Sequence, residues 1–318
     1  MKLWMDRFEI EHDNLRAALR FFRENDATGG LRLADSLYRF WFDRGHLVEG
    51  QRWLEAFLES TREDPLARGA ALLALGFLRH GRGGTTGVVP LLEEGLALVR
   101  PGGPSRRLVD GLWFMGTTVR IEGDNARARL LYEESFVVAR ATGELDLLGV
   151  AIGCLGELAL VEGHVEEARE HFEESLVLFR AAESARGINW ILRCLAGLAV
   201  LGGDDRRARE LHVESLVLAR DTGLSNGISA TLINLGVLAY RTGDHRRAIR
   251  LIAAAARDSL PVPYRRGQGK ERESTLASCL GALGEEGFAA AWAEGQAMTL
   301  ARCVAYALEG ANEGQTAD

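Results

Sequence analysis

The chain is poor in lysine, proline and cysteine, and each shortage excludes something. Lys2 and Lys270 are its only lysines among 38 basic residues, so no lysine-rich arm exists to embrace a phosphate backbone. With a formal net charge of −7 and scattered arginines, the composition argues against direct nucleic-acid binding, which calls for a basic patch or stripe. Six prolines in 318 residues leave long stretches free to be helical. Four cysteines, Cys154, Cys194, Cys279 and Cys303, form no C-x-x-C pair and read as free, largely buried thiols of a reducing cytosol. No uncharged apolar run is long enough to cross a bilayer, so a membrane span is not expected. The start, Met1-Lys2-Leu3-Trp4-Met5-Asp6-Arg7, lacks the apolar stretch of a signal peptide. The phosphate-binding pattern G-x-x-x-x-G-K-[ST] is missing too. Its nearest approach, Gly267-Gln268-Gly269-Lys270-Glu271, lacks the hydroxyl residue that would hold magnesium, and no cofactor is implied.

Glycine, in contrast, is abundant at 37 residues, and its placement is periodic. Gly123-Asp124, Gly163-His164, Gly203-Asp204 and Gly243-Asp244 recur with a period of 40. Gly83-Gly84 stands one period ahead of them, Gly45-His46 close to two, and Gly284 follows Gly243 at nearly the same interval. Seven positions ahead of each turn stands a small residue: Gly76, Gly116, Gly156, Ala196 and Gly236. Five positions after it comes alanine: Ala128, Ala168, Ala208, Ala248 and Ala289. Tyr132, Phe172, His212 and Ile252 stand four further on. Between the landmarks, apolar residues fall at helical spacing, as in Leu112, Met115 and Val119 or Ala128, Leu131 and Val138. Each unit is therefore a helical hairpin. Its Gly-Asp turn supplies a left-handed helix end and then an acceptor for the next helix start. One hairpin cannot bury its apolar face, so the units must stack.

This pattern resembles the tetratricopeptide repeat family. Leu192, Leu195, Ala196, Gly203-Asp204 and Ala208 match its signature within one unit, and the resemblance spans residues 29–295. The departures are Val119, Ala159, Ala199 and Ala239 at the customary tyrosine position, and a period of 40 where the family has about 34. The longer period predicts longer second helices. The resemblance implies an all-α, right-handed superhelical solenoid of about seven hairpins. A capping helix over 1–28 would precede the array, and a capping helix with a tail over 296–318 would follow it. The glycine-rich stretch 80–105, with Pro90 in the first turn of its second helix, reads as a hinge.

Two end segments narrow the resemblance. Glu11-His12-Asp13-Asn14-Leu15-Arg16-Ala17-Ala18-Leu19 and Phe288-Ala289-Ala290-Ala291-Trp292 look like the sensor arm of LuxR-type regulators with a signal-transducing ATPase core. Gln296 stands where that arm would carry a basic residue. What the resemblance implies is a cytoplasmic, non-catalytic module for transcriptional regulation or signalling. Its partners would be a peptide, a partner protein or a small-molecule effector, and a homodimer is compatible with it. An enzyme that uses the same groove on a small apolar substrate is the alternative class.

In repeat proteins of this kind, fixed positions on the first helices line the inner groove. Here those positions hold Asp110, Trp113, Thr117 and Arg120 in one unit, Glu157 in the next, and Trp190 and Arg193 in the one after. The sixth hairpin offers Tyr240 and Arg241, with Asn234 one position off register. Trp, Tyr and Arg are the side chains that dominate binding hot spots, and the arginines resist explanation as core. The seven histidines show no H-x-x-x-H pair, so no metal set is expected. His46, His164 and His245 read as exposed turn residues, and His212 as a packing residue.

Overall fold

The computed structural model describes residues 2–61, 63–81, 87–257 and 266–309. These form an all-α solenoid of helical hairpins, with no strand among the described residues. Contacts divide the chain into two compact units, Met1–Leu178 and Phe179–Asp318.

The first unit begins with two helices, α1 (Lys2–Ile10) and α2 (His12–Asn25). Three complete hairpins follow: α3 (Ala27–Arg44) with α4 (Leu47–Ser60), α5 (Pro65–Gly81) with α6 (Val88–Val99), and α7 (Arg106–Glu122) with α8 (Asn125–Thr142). The fourth pairs α9 (Leu145–Val161) with α10 (Val165–Ala181), whose last residues belong to the second unit. That unit continues with α11 (Ala185–Leu201) and α12 (Asp205–Thr222), then α13 (Ser225–Arg241) and α14 (His245–Arg257). Next comes α15 (Arg266–Ala297), whose helical geometry breaks at Gly284 (φ 68°), so that its two halves make a seventh hairpin. Finally α16 (Leu300–Glu309) lays Cys303, Val304 and Ala307 on a core of Leu216, Leu232, Leu235 and Leu251. The Gly83-Gly84 turn, the side chains of residues 267–270 and the tail beyond 309 lie outside the described residues.

The turns explain the period. Gly123, Gly163, Gly203 and Gly243 have φ between 79° and 100°, the left-handed region in which glycine is strain-free. After each, the next amide reaches back to a carbonyl five positions earlier: Asp124 to Val119 at 2.9 Å, His164 to Ala159 at 2.8 Å, Asp204 to Ala199 and Asp244 to Ala239 at 2.9 Å. Asp124, Asp204 and Asp244 then accept from the amides of Arg127, Arg207 and Arg247 and so cap the following helix. A helix of 17 residues, this short turn, a helix of 17 or 18 residues and a second short turn before the next hairpin fill the repeat. The second helices are therefore not specially long. Both arms share the extra length over a shorter repeat, because the turn chemistry fixes only the loop.

The glycines ahead of the turns each stand closest to one side chain of the following helix. A Cβ on Gly116 would stand 2.4 Å from the Tyr132 ring, one on Gly156 2.8 Å from Phe172, one on Gly76 2.7 Å from Leu92 and one on Gly236 2.7 Å from Ile252. The offset along the chain is the same in every case, and it also relates Ala196 to the buried His212. A glycine notch on the first helix thus receives a ring or branched side chain of the second, and where alanine replaces the glycine, histidine holds the facing position.

A second set of turns, between hairpins, carries the same register. Gly143 (φ 73°) and Gly223 (φ 71°) are left-handed, and Glu183 (φ 51°) adopts that conformation between them. Its turn still closes by Ser184 N–H to Phe179 O at 2.9 Å.

Two outcomes follow for solvent denaturation. Gly116→Ala costs about 1–3 kcal/mol by overpacking against Tyr132. Combined with Tyr132→His, which reproduces the Ala196/His212 pairing, it shows a favourable coupling of order 1 kcal/mol in a double-mutant cycle; purely additive costs would contradict the notch. Glu183→Gly, at an exposed turn, raises stability by about 0.5–1 kcal/mol by relieving the left-handed backbone.

Candidate binding face

The first helices of the N-terminal unit hold a connected set of charged and aromatic side chains. Arg39 on α3 donates to Asp110 on α7 at 2.9 Å, and its Nε donates to the Tyr38 hydroxyl at 2.7 Å. Tyr38 in turn donates to Asp110 at 3.3 Å. Arg107, one turn earlier on α7, donates to Asp35 at 2.8 Å and lies over the Tyr38 ring, 4.7 Å from its centre. These bonds join helices of the first and third hairpins across the second. The first-helix side is therefore the inner, concave side of this unit.

Electrostatics in the cluster are set by burial and by the opposite charges. Asp110 raises the Arg39 pKa, so that cation is permanent. Burial pushes the Tyr38 phenol up, with Asp110 adding to the shift. Burial also raises the Asp35 carboxyl above the ordinary range, against the pull of Arg107. An aromatic wall continues the face: Phe77 on α5 meets Tyr38 edge-on at 5.4 Å, Trp113 at 6.1 Å and Phe114 at 5.1 Å.

Further along α7, Thr117 is 3% exposed and its hydroxyl lies 3.2 Å from that of Tyr132. It packs the hairpin interior and does not line a groove, because its position faces the second helix of its own hairpin. Arg120 donates to Glu157 on α9 at 3.0 Å, with side chains 10% and 14% exposed. Burial disfavours the Arg120 charge, but Glu157 and then Tyr132 outweigh it, and its pKa is raised. Of the positions read from the sequence on this unit, Asp110 and Trp113 border the inner cluster, whereas Arg120 and Glu157 clamp neighbouring first helices together.

On the C-terminal unit, Trp190 stands edge-on to Phe179 at 6.2 Å, and Arg193 lies one turn beyond it on α11, half-buried. Asn234 is half-buried on α13. Tyr240 packs against a core of Ala239, Ala248 and Ile249 and meets the His245 ring at 5.7 Å. Arg241 is exposed and pairs with Asp205 at 3.0 Å.

Sequence reasoning missed Asp35, Tyr38, Arg39, Phe77 and Arg107. The bonding partners on α3 and α7 lie 71 or 72 residues apart, and no local period signals such a pairing. The corresponding slots of the later units, which begin the clearest repeats, also carry other residues.

The Arg120–Glu157 pair yields a direct discriminator between clamp and ligand contact. Arg120→Ala removes a cation bonded to the largely buried Glu157 carboxylate and costs about 3 kcal/mol, whereas Arg120→Met with Glu157→Leu costs far less. An unchanged denaturation midpoint in Arg120→Ala would mean that the guanidinium serves something other than the stack.

Comparison with known proteins places the fold. No family model matches the chain. "Putative HTH-type transcriptional regulator" proteins of Mycobacterium tuberculosis (strains H37Rv and CDC 1551) and Mycobacterium bovis are each 36% identical to it over 146 residues. That stretch is 42% of this chain and 16% of each relative, so the chain matches a small part of the length of these regulators. Among solved structures, a Rap protein complexed with Competence and Sporulation Factor superposes with a TM-score of 0.63 at 13% identity, over 88% of this chain and 76% of that one. Aspartyl phosphate phosphatase F from Bacillus subtilis gives 0.54 at 12% identity over 93% and 74%, and apo RapI gives 0.53 at 11% over 79% and 97%. At such identities the likeness is one of fold: a helical-repeat, tetratricopeptide-like solenoid.

Proposed function

We propose that this chain is a non-catalytic regulatory binding arm in bacterial transcriptional control, of the kind carried by LuxR-type regulators with a signal-transducing ATPase core. It works in the cytosol, and the inner face of its N-terminal unit receives a polypeptide segment. The observation that carries this reading is the joined row of Tyr38, Arg39, Arg107, Asp110 and Trp113 on first helices. Rigid helices hold these side chains, and Arg39 keeps 41% of its side chain exposed while its charge is fixed. A carboxylate or backbone carbonyl of an incoming segment can share Arg39 with Asp110, and apolar side chains can lie on Trp113. The one hydroxyl in the row, Tyr38, is bonded to Asp110, but burial raises its pKa and keeps it a protonated donor, which supports recognition over catalysis.

Regulatory use is supported by the partial likeness to the mycobacterial regulators, and polypeptide recognition by the shared fold of a Rap protein solved with a bound factor. The set Trp190, Arg193, Asn234, Tyr240 and Arg241 on the C-terminal unit is a separate candidate face.

Selection of a phage-displayed random dodecapeptide library on the full chain, followed by calorimetry with the enriched peptides, tests the proposal. Arg39→Ala and Trp113→Ala each weaken those peptides about tenfold or more, as loss of a hot spot does. Exposed Glu173→Ala, on the outer helix α10, leaves them unchanged. Enriched peptides that ignore Arg39 and Trp113, or a library that yields none, overturn the assignment of this face. Peptides sensitive only to Trp190→Ala move the site to the other unit.

A further inference from the structure

Three ligating side chains from separate segments meet at the N-terminal end of the first unit: Glu9 near the end of α1, His12 at the start of α2 and His46 at the cap of α4. One donor atom from each lies within 4.8 Å of the others. His46 Nε2 stands 3.1 and 3.4 Å from the two Glu9 oxygens, and the His12 and His46 rings have centres 4.3 Å apart. The sequence places His46 on the surface as a turn residue; it is instead packed between His12 and Phe40 and bonded to Glu9.

His12 is 8% exposed, and its Nε2 is buried without a hydrogen-bond partner. Glu49 Oε2 lies 3.3 Å away but outside hydrogen-bond geometry, and both oxygens of that carboxylate are held by Arg16 at 2.8 and 2.7 Å. Buried polar atoms of native proteins are as a rule satisfied, so this nitrogen calls for a partner. Phe40 packs against both imidazoles and against Phe8, which shields the cluster from water on one side.

We propose that Glu9, His12 and His46 bind one divalent transition-metal ion of the zinc class. Two imidazoles with one carboxylate suit zinc, cobalt or nickel and do not suit magnesium or calcium, which take oxygen ligands. Ligands about 2.1 Å from a tetrahedral ion stand roughly 3.4 Å apart. The Glu9–His46 edge already has that length, and the remaining edges need to close by little more than about 1 Å. Water fills the fourth position. The ion ties α1 and α2 to the turn of the first hairpin, alongside the Arg44–Asp6 and Arg16–Glu49 pairs that bridge the same elements. The local sequence gives no hint of it, because the whole of α3 separates His12 from His46.

Metal-stripped full-length protein titrated with Co²⁺ reads the site through the visible absorption of a tetrahedral complex, and calorimetry with Zn²⁺ reads its stoichiometry. One equivalent binds, and Glu9→Gln and His46→Ala, both at partly exposed positions and checked by circular dichroism, each weaken it by at least about tenfold. His171→Ala, in the other histidine–glutamate cluster beside Glu167, leaves it unchanged. Absence of one-equivalent binding, or binding that survives both Glu9→Gln and His46→Ala, overturns the site. Neither result depends on whether the inner face recognises a polypeptide.

Discussion

The structure depends on one steric fit repeated at a fixed interval: a notch without a side chain on the first helix, filled by a ring or branched chain from the second. Gly116 with Tyr132 and Gly156 with Phe172 show it most clearly. The fit sets how closely the two helices of a hairpin approach. Tyr132, Phe172 and their counterparts are wholly buried, so the notch also sets where the core of each hairpin lies. The left-handed glycines at the turns keep the helices from α7 to α13 at 17 or 18 residues, so the notches there recur in register. Because each hairpin packs chiefly against its neighbours, a misfit in one propagates through that register.

Most of this architecture was legible in the sequence. Turn glycines, notch residues and their partners are short-range features that fall within a single hairpin, and helical periodicity reports them directly. Even the break at Gly284 follows from the glycine period. What the sequence did not disclose is side-chain pairing between hairpins. Arg120 looked like a groove residue because arginine is rare in a core. Its partner Glu157 sits 37 residues later on the next first helix, and the pair is nearly covered. Thr117 was placed on the same face, but its position along α7 turns it toward Tyr132. Glu183 hides a left-handed turn because its residue type suggests none; only its place midway between Gly143 and Gly223 betrays it.

The same separation in sequence hid both candidate sites. Residues that converge across repeats, such as Arg39 with Asp110 or His12 with His46, share no local motif. A repeat sequence records what every unit must do to stack. It records poorly what a few units do differently, and binding lies in those differences.

The inner cluster also carries a consequence for the proposed regulatory role. Arg39–Asp110 and Arg107–Asp35 join the first and third hairpins of the N-terminal unit, so they contribute to its curvature. A ligand that takes a share of Arg39 must compete with Asp110, and its affinity therefore depends on the spacing of those hairpins. A ligand with different affinities for two spacings shifts the balance between them, and one with equal affinities shifts nothing. Recognition and curvature are thus linked through the same few hydrogen bonds. That linkage gives a helical stack a physical means of reporting what it has bound.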